Sequence, residues 1–131
     1  MKIKELNEVI KLPDNMDVYC INLCNTLNRL PGCETYDSCS GHGKHEYWIF
    51  FKCTDIDTLS RLGRAVCRNY SDGNWEILVD SCDGDPVGKF WLKTKTIIPI
   101  SILKESINDL IENILYWFSD DFDNYFSGSV K

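Results

Sequence analysis

Apolar positions recur at helical spacing, three or four residues apart, in three segments of the chain. We predict helices at residues 15–30, 55–70 and 102–118, each with an apolar stripe that packs on a core. Thr54 precedes the second segment and Ser101 the third, and hydroxyl side chains at such positions cap helix N-termini. The stripes are more typical of core packing than of a partner surface.

Aromatic and β-branched residues fill the segments between the helices, as is typical of strands. Residues 46–53 are apolar at both alternating sets of positions, which predicts a central strand covered on two faces. Residues 75–81 and 89–95 predict an antiparallel hairpin around residues 83–86. Pairing of opposite charges and of apolar groups fixes its expected register. The predicted pairs are Glu76/Lys93, Ile77/Leu92, Leu78/Trp91, Val79/Phe90 and Asp80/Lys89.

A short self-similarity links the two halves of the chain. The segment Asp37-Ser38-Cys39-Ser40-Gly41 parallels Asp80-Ser81-Cys82-Asp83-Gly84 at an offset of 43 residues, which also relates Cys24 to Cys67. Such a repeat raises the hypothesis of an internal duplication. We therefore predict an α+β fold of approximate order αββαββα, in which a mainly antiparallel sheet of two hairpins carries packed helices.

The length and the charge of the chain limit the classes of protein to which it can belong. The 131 residues, 44% of them apolar, suit a single domain, predicted over residues 1–118, with an acidic aromatic tail at 119–131. The net charge of −6 disfavours nonspecific nucleic-acid binding, because that attraction comes from Lys and Arg. No apolar run approaches the ~20 residues of a membrane span and no secretory signal is visible, so we expect a cytoplasmic protein without a membrane partner.

One short segment, residues 38–45, contains both histidines, two glycines, a lysine and a thiol. Glycines let a backbone bend and leave amide donors free for an anion, while Lys and His add positive charge. An arginine stripe on the second helix could also receive phosphates. The alternatives are a plain glycine-rich turn and a solvated charged face. The predicted ligand-binding residues are Ser38, Cys39, Ser40, Gly41, His42, Gly43, Lys44, His45, Arg61, Arg64 and Arg68.

The seven cysteines are odd in number and lack a Cys-x-x-Cys pair, which favours reduced thiols and argues against a zinc ribbon. Cys39, His42 and His45 have zinc-type donors, but a closed site would need a fourth ligand such as Asp37 or Glu46. We therefore assign no metal site. A nucleophilic Cys39 with His42 as its base is a further alternative, and no catalytic residue is assigned.

The motif of residues 38–41, Ser-Cys-Ser-Gly, resembles the signature of the tRNA wybutosine-synthesis methyltransferase family. The resemblance extends over about residues 22–53 and implies S-adenosylmethionine binding and tRNA methylation. The longer form Ser-Cys-x-Gly-His-Gly, followed by an aromatic strand and a closing helix, is more similar to small proteins of phages and prophages. That resemblance implies a phage or prophage origin and no particular activity.

The leading hypothesis is a pocket protein that binds a small anionic, nucleotide-like ligand at residues 38–44. In a phage setting, sequestration of a host nucleotide signal is one concrete form. The alternatives are an S-adenosylmethionine-dependent or other enzyme that modifies nucleotides or tRNA, and a protein-binding adaptor that uses the tail. Aromatic residues in the tail could also pack on a second copy of the chain as a homo-oligomer. No cofactor is assigned.

Overall fold

The computed structural model describes residues 2–67, 74–81 and 88–119, and it confirms the α+β class. Its elements follow the predicted order αββαββα, preceded by a short 3-10 turn at Leu6–Glu8. No helix within the described ranges has the length and apolar character needed to cross a membrane. The elements are α1 (Val18–Arg29), β1 (Cys33–Cys39), β2 (Trp48–Cys53), α2 (Ile56–Cys67), β3 (Trp75–Ser81), β4 (Gly88–Thr94) and α3 (Ile100–Trp117).

The helix starts differ from the predicted ones. Helix α1 begins three residues later than predicted, because Asp17 caps it by accepting a hydrogen bond from the backbone N–H of Tyr19 at 3.0 Å. The cap of α2 is Asp55 rather than Thr54, since the Asp55 carboxylate accepts from the N–H of Thr58 at 3.0 Å. The predicted end of α2 at residues 68–70 lies outside the described residues.

Helix α3, in contrast, begins earlier than predicted, at Ile100. Pro99 occupies the N-cap position with φ −58°, an angle that proline fixes and that suits a helix start. Ser101 therefore lies inside the helix, and the prediction that it caps α3 is wrong. No side-chain cap replaces it at this N-terminus.

The four strands form one antiparallel sheet in the order β1-β2-β4-β3. The predicted β3–β4 register is confirmed for four of its pairs, which run from Glu76/Lys93 to Val79/Phe90. The fifth is wrong: a bulge places Ser81 opposite Lys89, and the Asp80 carboxylate instead accepts from the Trp91 indole N–H at 2.9 Å. The predicted turn at 83–86 lies outside the described residues.

Strand β2 is central, but it is fully buried on only one face. Ile49, Phe51 and Cys53 are buried, whereas Trp48, Phe50 and Lys52 alternate with them and are half-buried. The prediction of a strand covered on both faces is therefore wrong for the described residues. The aromatic rings of the open face shield one another, with Trp91 lying 5.3 Å from Trp48 and 4.7 Å from Phe50 between ring centroids.

The architecture supports the duplication hypothesis in the strands more than in the helices. Each half contains one helix followed by a hairpin, and the second strands, β2 and β4, pair antiparallel at the centre of the sheet. Both first strands also shift register beside the repeated Asp-Ser-Cys segment. However, Cys24 is buried within α1 while its counterpart Cys67 is exposed as the last residue of α2, so this part of the repeat does not share an environment.

Candidate functional site

The loop between β1 and β2, residues 40–45, has an unusual backbone and is called the histidine loop below. Gly41, His42 and Gly43 have consecutive positive φ angles of 79°, 52° and 76°. A Cβ on Gly41 would lie 3.0 Å from the carbonyl oxygen of Glu46, so this position requires glycine. His42 adopts the left-handed region without that freedom, and such strain in a non-glycine residue is often found at functional sites.

The backbone amides of the histidine loop are largely bonded within the protein. The N–H of Ser40 donates to the Asp17 carboxylate at 3.1 Å, and the N–H of Gly41 lies 3.4 Å from the Cys39 sulfur. The N–H groups of Lys44 and His45 both donate to the carbonyl of Gly41, at 2.8 and 3.0 Å. The prediction that this loop leaves its amide donors free for an anion is therefore wrong for these groups.

The side chains of the loop divide into a buried base and an exposed tip. Ser40 and Gly41 are buried, while the positively charged Lys44 and both histidines are exposed. Any positive charge that the loop offers to an anion therefore comes from its side chains. The structure therefore keeps the predicted ligand residues 40–45 together at one end of the sheet.

Asp17 joins the site from a different element, and the sequence did not single it out. Its carboxylate oxygen Oδ2 lies 3.6 Å from His42 Nε2, and donor atoms of Asp17, Cys39 and His42 all lie within 4.8 Å of one another. The three residues come from the α1 cap, the end of β1 and the histidine loop. We call them the Asp17–Cys39–His42 cluster. His45, the third residue of the predicted zinc-type set, is not part of it.

Asp17 is held as a carboxylate. Burial alone would raise its pKa, but hydrogen bonds from the Ser40 side chain and from the backbone N–H groups of Tyr19 and Ser40 outweigh burial, with a smaller contribution from nearby His42. The pKa of Asp17 is consequently below its ordinary value. The cluster therefore keeps a negative charge beside an imidazole and a thiol at neutral pH.

A groove of about 460 Å³ opens beside this cluster, between the segment before α1 and strand β1. We call it the β1 groove. Asp17 lines it together with Tyr36, Asp37 and Ser38 from β1. Its polar floor is rigid, because the Asn28 amide both donates to the Thr35 hydroxyl at 3.0 Å and accepts from the Thr35 N–H at 2.8 Å.

The remaining thiols in this region are packing groups. Burial raises the pKa of both Cys20 and Cys24 to about 11, which makes their thiolates scarce near neutral pH. Cys39 is half-buried at the end of β1 and is the cysteine that accompanies a histidine. Its sequence counterpart Cys82 lies outside the described residues.

Arg61, the first residue of the predicted arginine stripe, lies far from the histidine loop. Arg61 donates to the carbonyl of Trp117 at 3.0 Å, at the C-terminal end of α3, whereas Gly43 lies beside Ile100 at the other end. The 18 residues of α3 span about 26 Å, so one small ligand cannot reach both places. Arg64 is exposed, and Arg68 lies outside the described residues.

Trp48, Trp75 and Trp91, which could stack on a base, have different environments. Trp75 is buried, and its indole N–H donates to the Ser106 hydroxyl at 3.2 Å, so it is a core residue. Trp48 and Trp91 lie on the open sheet face, away from the buried side of β2. Tyr36 lines the β1 groove and is 50% exposed, but its ring lies 5.8 Å from the Phe50 ring, on the same open sheet face.

Comparison with known proteins adds no family to this description. No protein-family model matches the chain, and neither a curated protein nor a solved structure gives a significant match. The motif-level resemblances to the tRNA wybutosine-synthesis methyltransferases and to phage proteins therefore stay predictions.

Proposed function

We propose that the protein binds a small nucleotide-like ligand, with the base in the β1 groove and the phosphate at the side chains of the histidine loop. The observation that carries the proposal is the position of Asp17, which lines the groove and contacts the loop through His42 and Ser40. Small-molecule sites commonly enclose about 300–1,000 Å³. A groove of about 460 Å³ is of that size.

The charges of the lining decide the orientation of the ligand. Asp17 and Asp37 place two carboxylates in the groove against one cation, Lys11, which is 3.9 Å from the Asp14 carboxylate. The lining is therefore net negative, which disfavours phosphate, while its carboxylates accept hydrogen bonds from the N–H groups of a nucleobase. The ring of Tyr36, which also lines the groove, packs on Phe50 at 5.8 Å, so hydrogen bonds to the carboxylates rather than stacking hold the base. The uncharged end of a nucleotide therefore suits the groove better than its phosphate does.

The phosphate fits the exposed tip of the histidine loop. Lys44 and His45 are exposed, and His42 lies at the junction of loop and groove with its side chain 66% exposed. Because the loop amides are bonded internally, these side chains supply the attraction. Exposed charges are screened by salt, so we expect the affinity for a nucleotide to fall as ionic strength rises.

The test is a thermal-shift screen of the full chain, followed by calorimetric titration, with nucleoside monophosphates, cyclic dinucleotides, the matching nucleosides, inorganic phosphate and S-adenosylmethionine. A nucleotide at 100 times its Kd stabilises a protein by about 2.7 kcal/mol. We expect a nucleotide to bind more tightly than either its nucleoside or phosphate alone. The absence of a shift with any nucleotide at saturation refutes the proposal.

Matched variants locate the site. The double variant Lys44→Ala/His45→Ala should weaken nucleotide binding about tenfold and leave nucleoside binding unchanged, because each exposed charge contributes at most about 1 kcal/mol. Asp37→Ala, which removes a carboxylate from the groove, should weaken the binding of both ligands. Lys95→Ala and Arg64→Ala are controls at exposed positions outside the site, and neither should change the affinity. Equal losses in the controls contradict the assignment.

The two other function classes predict different results. Methyl transfer from S-adenosylmethionine to tRNA, abolished by Cys39→Ala, favours the enzyme that the motif resemblance implies. Capture of a protein partner that disappears when residues 119–131 are removed, while the loop variants still bind it, favours the adaptor.

A further inference from the structure

We propose that Asp17, Cys39 and His42 form a zinc-binding site with three protein ligands and one open coordination position. The inference rests on the cluster alone and needs no nucleotide, so it goes beyond the proposed function. It differs from the zinc-type set considered in the sequence, because Asp17 replaces His45. It also removes the need for Asp37 or Glu46 as a fourth ligand.

The separations of the donor atoms suit a tetrahedral ion. Zinc bonds of about 2.0–2.3 Å place neighbouring ligand atoms roughly 3.3–3.8 Å apart. His42 Nε2 and Asp17 Oδ2 are 3.6 Å apart, and the whole set already lies within 4.8 Å. An inward movement of about 1 Å at the exposed His42 side chain or at Cys39 completes the geometry.

Hydrogen bonds hold two of the three donors in place. Asp17 accepts from the backbone N–H groups of Tyr19 and Ser40, which fixes the orientation of its carboxylate. The N–H of Gly41 points to the Cys39 sulfur at 3.4 Å, a contact that stabilises a thiolate. Outer contacts of this kind are a regular feature of metal sites.

The backbone of the histidine loop gives a second, independent observation. His42 has a strained φ of 52° between two glycines that also have positive φ. This conformation brings the imidazole within 3.6 Å of Asp17, and it is less favourable for histidine than for glycine. A metal site that requires the imidazole beside Asp17 explains why this conformation is kept.

The chemistry of the donors selects the ion. A thiolate, an imidazole and a carboxylate are the ligands of zinc, whereas Mg²⁺ and Ca²⁺ prefer oxygen ligands alone. Three protein ligands leave a fourth position for water or for an anionic group of a ligand.

The test is a titration of the chelator-treated full chain with Co²⁺ as a spectroscopic probe, without nucleotide. We expect one equivalent to give the visible bands of tetrahedral cobalt and a near-ultraviolet thiolate-to-cobalt charge-transfer band, with Zn²⁺ displacing the Co²⁺. A titration without tetrahedral bands at one equivalent overturns the proposal. Failure of the nucleotide screen leaves this result unaffected, so the two proposals fail separately.

Variants test the ligand assignment. Cys39→Ser should remove the charge-transfer band, and His42→Ala should weaken Co²⁺ binding at least tenfold. Cys67→Ser and His45→Ala are the matched controls, and both should bind as the unaltered chain does. Circular dichroism checks that each variant is folded. A charge-transfer band that survives in Cys39→Ser assigns the metal to another thiol and overturns the proposal.

The same cluster has one competing use, as a nucleophile with its base. Rapid alkylation of Cys39 that depends on His42, in a chain that binds no Co²⁺, would overturn the zinc site in favour of that use.

Discussion

Asp17 is the residue whose replacement tests the structure most directly, because its carboxylate acts in two places. One oxygen caps α1 through the N–H of Tyr19, and the other holds the histidine loop through the N–H of Ser40. Asp17→Ala removes both contacts. Asp17→Ser keeps a capping oxygen but is too short to reach the loop, so the pair separates the two contributions.

The hydrogen bonds set the expected magnitudes. A helix cap is worth about 1 kcal/mol, and a hydrogen bond to a charged group about 1.5 kcal/mol. The Asp17 side chain is only 16% exposed, so solvent does not replace these bonds fully. We expect Asp17→Ala to lower the free energy of unfolding by about 2.5 kcal/mol and Asp17→Ser by about 1.5 kcal/mol.

The pH dependence gives the sign of the electrostatic contribution. The pKa of Asp17 is lowered in the folded state, so its charged form stabilises the fold. This stability is present above the ordinary aspartate pKa of about 3.9 and is lost as pH falls through the lower folded-state pKa. The difference between the unaltered chain and Asp17→Ser should therefore be full at pH 7 and shrink below about pH 4.

The assay is urea unfolding followed by tryptophan fluorescence, in the presence of a chelator, at neutral and acidic pH. Two results would refute the reasoning. If Asp17→Ser is as stable as the unaltered chain, the carboxylate does not anchor the loop. If the difference between them is the same at pH 3 as at pH 7, the charge of Asp17 is not its cause.

Three further predictions concern the core, the loop and the thiols. Trp75→Phe should lower the free energy of unfolding in urea by about 2 kcal/mol, because the smaller ring leaves space in the core and loses the hydrogen bond to Ser106. An unchanged stability would contradict the burial of Trp75. Gly41→Ala should lower the free energy of unfolding by about 2 kcal/mol or more, because the φ of Gly41 is positive and a Cβ there would meet backbone. Gly63→Ala in α2 places its Cβ in open space and should raise the free energy of unfolding by about 0.5–1 kcal/mol. Equal effects of the two substitutions would refute the loop geometry. Alkylation at pH 8 with peptide mass spectrometry should label exposed Cys67 in the folded chain and spare Cys24, whose pKa burial raises to about 11; early labelling of Cys24 would contradict this.

The elements of the fold could be predicted where local periodicity decides them. The apolar spacing of the three helices is a property of residues close in sequence, and the pairing of Glu76 with Lys93 follows from matching the regular alternation of two strands; both reappear in the structure. The bulge at Asp80 could not be predicted in this way, because it depends on the indole N–H of Trp91 from the facing strand. The open face of β2 was likewise missed, since an aromatic alternation looks the same whether helices or other rings cover it.

The site was predictable only in part, for a related reason. The composition of residues 38–45 identified the loop, but Asp17 is 23 residues before Ser40 and meets it only in the tertiary structure. The signal that could have found it is its position, since an aspartate immediately before a helical stripe is a strong cap candidate. Once α1 begins at Val18, its cap lies where β1 ends, and the carboxylate serves both.

The positions of the histidines decide how many metal sites we expect if the two halves are a duplication. Both halves contain an Asp-Ser-Cys segment, and both helices start from an aspartate, Asp17 in α1 and Asp55 in α2. The proposed metal site also uses an imidazole, and both histidines of the chain lie in the first half, so no histidine follows Cys82. If the histidine loop creates the site, each chain binds one Co²⁺ rather than two. Binding of two equivalents with the same thiolate spectrum would mean that the shared Asp-Ser-Cys framework, and not His42, determines binding.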